Sequence, residues 1–343
     1  MPNPVEADPG MANLGDAEAA LKRSPLRRLL AVDELGIFVA LVLFFIVGAL
    51  SSPYFVTVSN LTGILQNITF LGFLSIGVGL VLMAGEIDIS VGSIFGLTGV
   101  AAALVLRAGY PLAAAIAGGL LVGVACGLVN GLVAQVIKIP VVVMTLATLG
   151  IYRAIALALA NGSPVGGLPT NAFFFDWFGQ GAVAQVSYIT ILFLIVALIA
   201  EIVLRWTSSG FRLLAIGSNP QAARLVGFHV ERTRVLLLAF SGFIAALSGV
   251  CSVAYLDTAS PTGGTGYELS VLAAVIIGGV KLTGGRGSIL GVLLGLCVIG
   301  IFQNLIVLWG VSPNWTQGVS GLVLIAAMTL IWLTRGSERA AGG

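Results

Sequence analysis

Residues 61–106 read LTGILQNITFLGFLSIGVGLVLMAGEIDISVGSIFGLTGVAAALVL. Two uncharged apolar runs, 61–84 and 89–106, flank Gly85-Glu86-Ile87-Asp88. A helix needs about 20 mostly apolar residues to cross a hydrocarbon core about 30 Å thick. The stretch therefore predicts a membrane helix, a polar break and a second membrane helix.

The rest of the chain repeats that texture. Of 343 residues, 58% are hydrophobic and 9% are charged, against roughly 25% charged in soluble domains. Too few charges exist to cover a water-exposed surface, which excludes a soluble enzyme, a nucleic-acid binder and a secreted disulfide scaffold. The net charge of +2 is too small to imply an anionic partner by itself. The 46 glycines suit close helix packing in lipid. Cys126, Cys251 and Cys297 each lie in an apolar run without a CxxC or a neighbouring histidine, so they read as small buried hydrophobes.

Ten apolar segments emerge: 35–50, 61–84, 89–106, 112–137, 141–160, 186–204, 235–256, 269–280, 289–308 and 316–334. The eighth is short and reads as a helix starting near Gly266 or as a broken one. With the N-terminus inside, 14 of the 16 basic residues fall on the inner side, Arg107 alone falls outside, and Arg153 lies within a span. Span parity and charge asymmetry thus agree on cytoplasmic termini. Residues 1–34 read as a cytoplasmic tail rather than a cleaved leader; 35–335 form the membrane domain, and 336–343 a second tail.

The inner connection 205–234 is the longest between spans. Its Ser218-Asn219-Pro220 is a helix-start signal, with Asn or Ser capping and Pro in the first turn. Residues 221–226 are a short helical run that Gly227 can end. Ala222, Ala223 and Val226 give this helix a small apolar face that a protein groove would fill; a plain connector is the alternative. His229 reads as a solvated loop residue. In the 85–93 break, Asp88 or Ser90 can cap the next helix, and Glu86 and Asp88 do not share a helix face. Gly92 completes that break.

Arg153 is a functional candidate because intramembrane charge is costly; snorkelling and pairing with backbone carbonyls are the bland readings. Thr145, Thr148 and Tyr152 form a polar stripe on the same helix. Such groups could line a path for a hydroxylated solute, or simply hydrogen-bond between helices. Asn67, Asn130, Gln303 and Asn304 carry the same ambiguity. Residues 74–96 align without gaps to 269–291, a weak internal echo of the kind found in transporters built from repeats. No GxxxxGK[ST] occurs, so the chain is not expected to hydrolyse ATP itself. No His/Cys/Glu cluster suggests a metal.

Several stretches carry a resemblance. LVLMAGEIDISVGSIFGLTG (80–99), GLVNG (127–131), TLATLGIYRAIALALANGSPVGGLP (145–169), GFRLLAIGSNPQAARLVGF (210–228) and YELSVLAAVIIGGVKLTGGRGSILGVLLG (267–295) resemble motifs of the permease subunits of bacterial ABC importers of the ribose/xylose/autoinducer-2 type. Glu86 stands where that family usually has Gly, and Tyr267 where it usually has Phe. The likeness runs from about residue 35 to 335.

The resemblance implies a type II-like, ten-helix importer fold in the bacterial inner membrane. It implies a second permease copy or paralogue, two cytoplasmic ATP-binding subunits that hold ATP and magnesium, and an external solute-binding protein. It gives Gly217, Asn219, Ala222, Ala223, Leu225 and Gly227 a role in an ATPase-coupling helix. It makes 161–185 and 257–268 docking surfaces for the binding protein. Asn67, Thr145, Thr148, Tyr152 and Asn304 are the candidates for the path, and Asp88, Ser90 and Gly92 form the helix-break motif. The expected cargo is a small sugar. A branched-chain amino-acid permease is the nearest rival, although a zwitterion should want compensating charge in its path. An ion-coupled secondary transporter is disfavoured by the scarcity of intramembrane carboxylates, and a channel or scaffold would not accumulate solute.

Overall fold

The computed structural model describes residues 33–169 and 174–312, with the separate positions 315, 318, 320–322, 325 and 329. The expected N-terminal tail up to residue 32, most of the tenth apolar segment and the C-terminal tail lie outside the described residues. The described chain is mainly helical: α1 Asp33–Ser51, α2 Val58–Met83, α3 Val91–Arg107, α4 Leu112–Ile137, α5 Val141–Leu159, α6 Tyr188–Trp206, α7 Ser208–Ser218, α8 Pro220–Leu225, α9 Val230–Leu256, α10 Tyr267–Ile277 and α11 Ile289–Leu308. Six of them, α2, α4, α5, α6, α9 and α11, are long and apolar enough to cross a membrane.

Local chemistry sets the boundaries. Pro111 and Pro140 immediately precede α4 and α5, where a missing N–H is harmless. Ser187 caps α6 by accepting from Thr190 N, and Ser288 caps α11 by accepting from Gly291 N. Between α5 and α6, a π-helical turn (Phe174–Gly179) precedes a two-stranded antiparallel hairpin, β1 (Ala182–Val183) and β2 (Val186–Ser187). A bridge from Val165 to Ala259 ties the α5–α6 connection to the α9–α10 connection.

Burial separates centre from periphery. The apolar window of α2 is 78% buried and that of α9 72%, whereas α4 and α5 reach only 28% each. The long helix α9 packs on α2, α3 and α4. On α4, Gly119, Gly123, Gly127 and Gly131 recur every four residues and lie against Val250, Gly242, Leu238 and Val235 of α9. Close approach of two backbones is how helices gain contact where lipid supplies no hydrophobic driving force between them.

Several expected boundaries shift. α9 begins at Val230 rather than 235, because Glu231, Arg232 and Arg234 extend the helix beyond its apolar part without breaking it. α6 begins at Tyr188 rather than 186, since Val186 and Ser187 are spent on the hairpin. α10 starts directly after Gly266 (φ 83°) and has 11 residues, about 16 Å, so it is a half-span. The internal echo has a structural counterpart: α2, a break and α3 in one copy, α10, a break and α11 in the other.

Candidate functional site

The segment between α6 and α9 folds as two helices. The chain turns between α6 and α7 at Thr207, and in the first turn of α7 a Cβ on Gly210 would collide with the Leu204 carbonyl. α8 is capped at both ends. Asn219 Oδ1 accepts from Gln221 N (3.1 Å) and Ala222 N (3.0 Å), with Pro220 in the first turn. At the far end Gly227 adopts φ 87°. Phe228 N donates to Ala223 O and Gly227 N to Arg224 O, the pairing of a Schellman stop. The start and stop signals of the sequence thus act together.

The exposed face of α8 corrects one expectation. Ala223 is 3% exposed and packs on Ile216, Val230 and Phe228. It glues α8 to α7 and α9 and offers nothing to a partner. Ala222 is exposed, as are Leu225 (89%) and Val226 (69%), so the outward apolar face is Ala222-Leu225-Val226. Arg224 pairs with Glu231 at 2.5 Å and fixes α8 to the first turn of α9.

The other end of α7 enters a junction of three connections. The Cα of Gly217 sits against the Met83 carbonyl at the end of α2, and a Cβ there would also lie 2.5 Å from Gly285 N. Gly285 N donates to that same Met83 O at 2.8 Å. Gly284 and Gly285 both adopt φ 79°, open to glycine without strain. Arg234 of α9 pairs with Glu86 at 2.8 Å. Burial pushes the Glu86 carboxyl above its usual range, and Arg234 opposes that shift. One short helical module therefore touches the break after α2 and the break after α10, the two corresponding points of the internal echo.

Above this junction, a buried polar chain holds the α2–α3 connection. Asp88 is 1% exposed. Its Oδ1 accepts from Ser90 N (3.0 Å) and Ser90 Oγ (2.7 Å), and its Oδ2 accepts from Ser241 Oγ of α9 (2.8 Å). Asn130 Nδ2 donates to Ser90 Oγ, and the Tyr152 hydroxyl shares its one proton between Asn130 Oδ1 (2.9 Å) and the Cys126 carbonyl (3.0 Å). Thr145 Oγ1 donates to Ile87 O. The expected capping role is corrected here: Ser90 occupies the N-cap of α3 without a side-chain cap bond, and Asp88 is instead the hub of a cross-helix network. Gly92 is a close-approach site, since a Cβ there would lie 2.7 Å from Glu268 Oε2 and collide with Gly264 O.

Arg153 binds carbonyls. Its Nη1 donates to Pro261 O and Gly263 O, both at 2.7 Å, and its Nη2 to Gly92 O at 3.2 Å. The guanidinium thereby clamps the α9–α10 connection onto the start of α3. Three of the five path candidates share α5. Thr145, Thr148 and Tyr152 are buried and spend their hydrogen bonds inside the chain. Asn67 is exposed on α2, and Asn304 exchanges two hydrogen bonds with Asn60. Ser241 and the Met83 carbonyl escape sequence reading altogether, because nothing local marks a serine in AFSGF or a single carbonyl oxygen as a partner of a residue far along the chain.

Comparisons with known proteins bear on this arrangement. Residues 60–328 match the family described as branched-chain amino acid transport system / permease component. The chain is 36% identical over 298 residues to the ribose import permease protein RbsC of Escherichia coli K12, covering 87% of this chain and 92% of that protein. It is 34% identical over 299 residues to RbsC of Bacillus subtilis, with 87% and 92% covered. It is 33% identical over 295 residues to the autoinducer 2 import system permease protein LsrC of Escherichia coli K12 / DH10B, with 86% and 85% covered. In fold it is similar to a structure described as an inward-facing metal-chelate type ABC transporter, at TM-score 0.50 and 15% identity, covering 88% of this chain and 98% of that one.

Proposed function

This chain belongs to the branched-chain amino acid transport system / permease component family, and on that premise we propose that it is the permease subunit of an ATP-driven importer of a small sugar or sugar-like solute. It is a multi-pass membrane protein and a transport component rather than an enzyme. In the proposed assembly it crosses the bacterial inner membrane about ten times with both termini in the cytoplasm. It pairs with a second copy or a paralogue and receives solute from an external binding protein. Two cytoplasmic ATP-binding subunits hold the ATP and magnesium. The sugar class is supported by relatives named for ribose and autoinducer 2 import at 33–36% identity; the family description keeps a branched-chain amino acid as the second reading.

The observation that carries the proposal is the doubly capped α8. It presents Ala222, Leu225 and Val226 to the surface and is joined to α7, whose Gly217 packs closely on Met83 and Gly285. In this reading the ATP-binding subunits grip the outward face of α8. A change in their separation moves α7, and the glycine junction passes that movement to both helix breaks at once. Coupling of this kind needs an element with two arrangements biased from both ends. The test is Leu225→Glu with Val226→Glu. The variant should insert normally, lose the ATP-binding subunits on copurification and lose uptake. Full uptake by this variant refutes the docking role. A panel of labelled pentoses, hexoses and branched-chain amino acids, offered with the cognate binding protein, decides the cargo class.

A further inference from the structure

We propose that the chain holds one anionic phospholipid between α6 and α9, with an acyl chain in an apolar groove and the phosphate on Arg212 and Arg232. α6 and α9 both pack on α2 but scarcely touch each other. The gap is a groove of about 510 Å³, lined by Val196, Ile199 and Val203 from α6 and Leu236, Phe240 and Phe243 from α9. Both sets follow helical spacing, so the groove runs along the helices for roughly 12 Å. At its α7 end it opens into a second recess of about 510 Å³ that contains His229 and Arg232. Arg212, Thr233 and Leu236 line both spaces.

The charges are asymmetric at this mouth. Arg205, Arg224 and Arg234 are paired with Glu201, Glu231 and Glu86. Arg212 and Arg232 are exposed, and no ion pair joins either of them to a carboxylate among the described residues. Arg212 lies 5.9 Å from the Phe228 ring centroid, which stacks it at the rim. Two uncompensated guanidinium groups at the end of an apolar slot match an amphiphile with an anionic head. Basic pockets between membrane helices on the cytoplasmic side bind such heads, and the arginine fork fits phosphate oxygens. The only polar groups on the groove wall, Ser209, Arg212 and Thr233, sit at its α7 end, so the rest of the slot offers a sugar no hydrogen-bond partner.

The test uses the assembled importer in nanodiscs made with phosphatidylglycerol or phosphatidylcholine, followed by gentle extraction and native mass spectrometry. One phosphatidylglycerol per permease chain should persist, in preference to phosphatidylcholine. Arg212→Gln with Arg232→Gln should weaken that retention on the order of thirty-fold. Val203→Trp, which fills the groove and leaves both arginines, should expel the lipid. Inorganic phosphate at 50 mM should displace less than half of it; full displacement identifies a free-phosphate site and overturns the proposal. Equal retention of the two lipids by the unmodified protein also overturns it, and that comparison needs no variant to fold. So does a groove that holds a second permease copy and no lipid.

Discussion

Gly217→Ala probes the junction between α7 and the two helix breaks. The added Cβ would collide with the Met83 carbonyl and lie 2.5 Å from Gly285 N. Both obstacles are backbone atoms, so α7 must shift or the 2.8 Å hydrogen bond from Gly285 N to Met83 O must open. Loss of a hydrogen bond costs about 1 kcal/mol net, and overpacking a tight contact adds about 1–3 kcal/mol. The total is about 2–4 kcal/mol, enough to lower the melting temperature in detergent by roughly 5 °C. Gly150→Ala in α5 is the control, since nothing lies within 4 Å of its added Cβ. There alanine should be neutral or stabilising by about 0.5–1 kcal/mol through its better helix propensity. Uptake into proteoliposomes and ATP hydrolysed per solute are measured alongside melting. Gly217→Ala should transport at least tenfold less per ATP hydrolysed, while Gly150→Ala should match the unmodified protein. Identical melting and identical coupling in the two variants would refute the reasoning.

Asn219→Ala removes the acceptor for Gln221 N and Ala222 N, costing about 1 kcal/mol of α8 stability; affinity for the ATP-binding subunits, measured by titration, should fall about fivefold. Asp88→Ala strips three hydrogen bonds from Ser90 and Ser241 and should cost on the order of 3 kcal/mol, read as a lower melting temperature. Asp88→Asn, which keeps one oxygen, should cost less. Arg153→Gln should loosen the 257–266 connection, with faster hydrogen exchange there and not in α4. Arg153→Lys should recover only part of the protection, because a point charge cannot bind Pro261, Gly263 and Gly92 carbonyls with the planar fork that arginine supplies.

Much of the helical layout is legible in the sequence because its punctuation is local. The segments 112–137 and 289–308 coincide with α4 and α11, and Pro111 and Ser288 mark where each begins. Asn219-Pro220 and Gly227 bracket α8 by the same kind of signal. What stays hidden depends on contacts far apart in the chain. Periodicity names an apolar face on α8 but not its inward side, so Ala223 reads as exposed until Ile216 and Val230 are seen to cover it. Asp88 looks like a cap because its acceptors could serve Ser90 and its neighbours; its bond to Ser241, 153 residues away, comes only from the packing of α9. Thr145, Thr148 and Tyr152 are all buried on α5. Their partners are not marked in the sequence: Thr145 reaches Ile87 O before α3, Tyr152 reaches Asn130 of α4, and Thr148 bonds within its own helix.

Docking of α8 on the ATP-binding subunit can be measured most directly by cross-linking from its surface. Cys126 and Cys251 are buried and Cys297 is partly so, which leaves a quiet background for Val226→Cys and Leu225→Cys in the assembled importer. A short bifunctional thiol reagent should join either position to the ATP-binding subunit, while Leu159→Cys, at the far end of α5, should give no product. Absence of any product from positions 225 and 226 in a complex that still transports, or equal product from position 159, would contradict the coupling role assigned to α8.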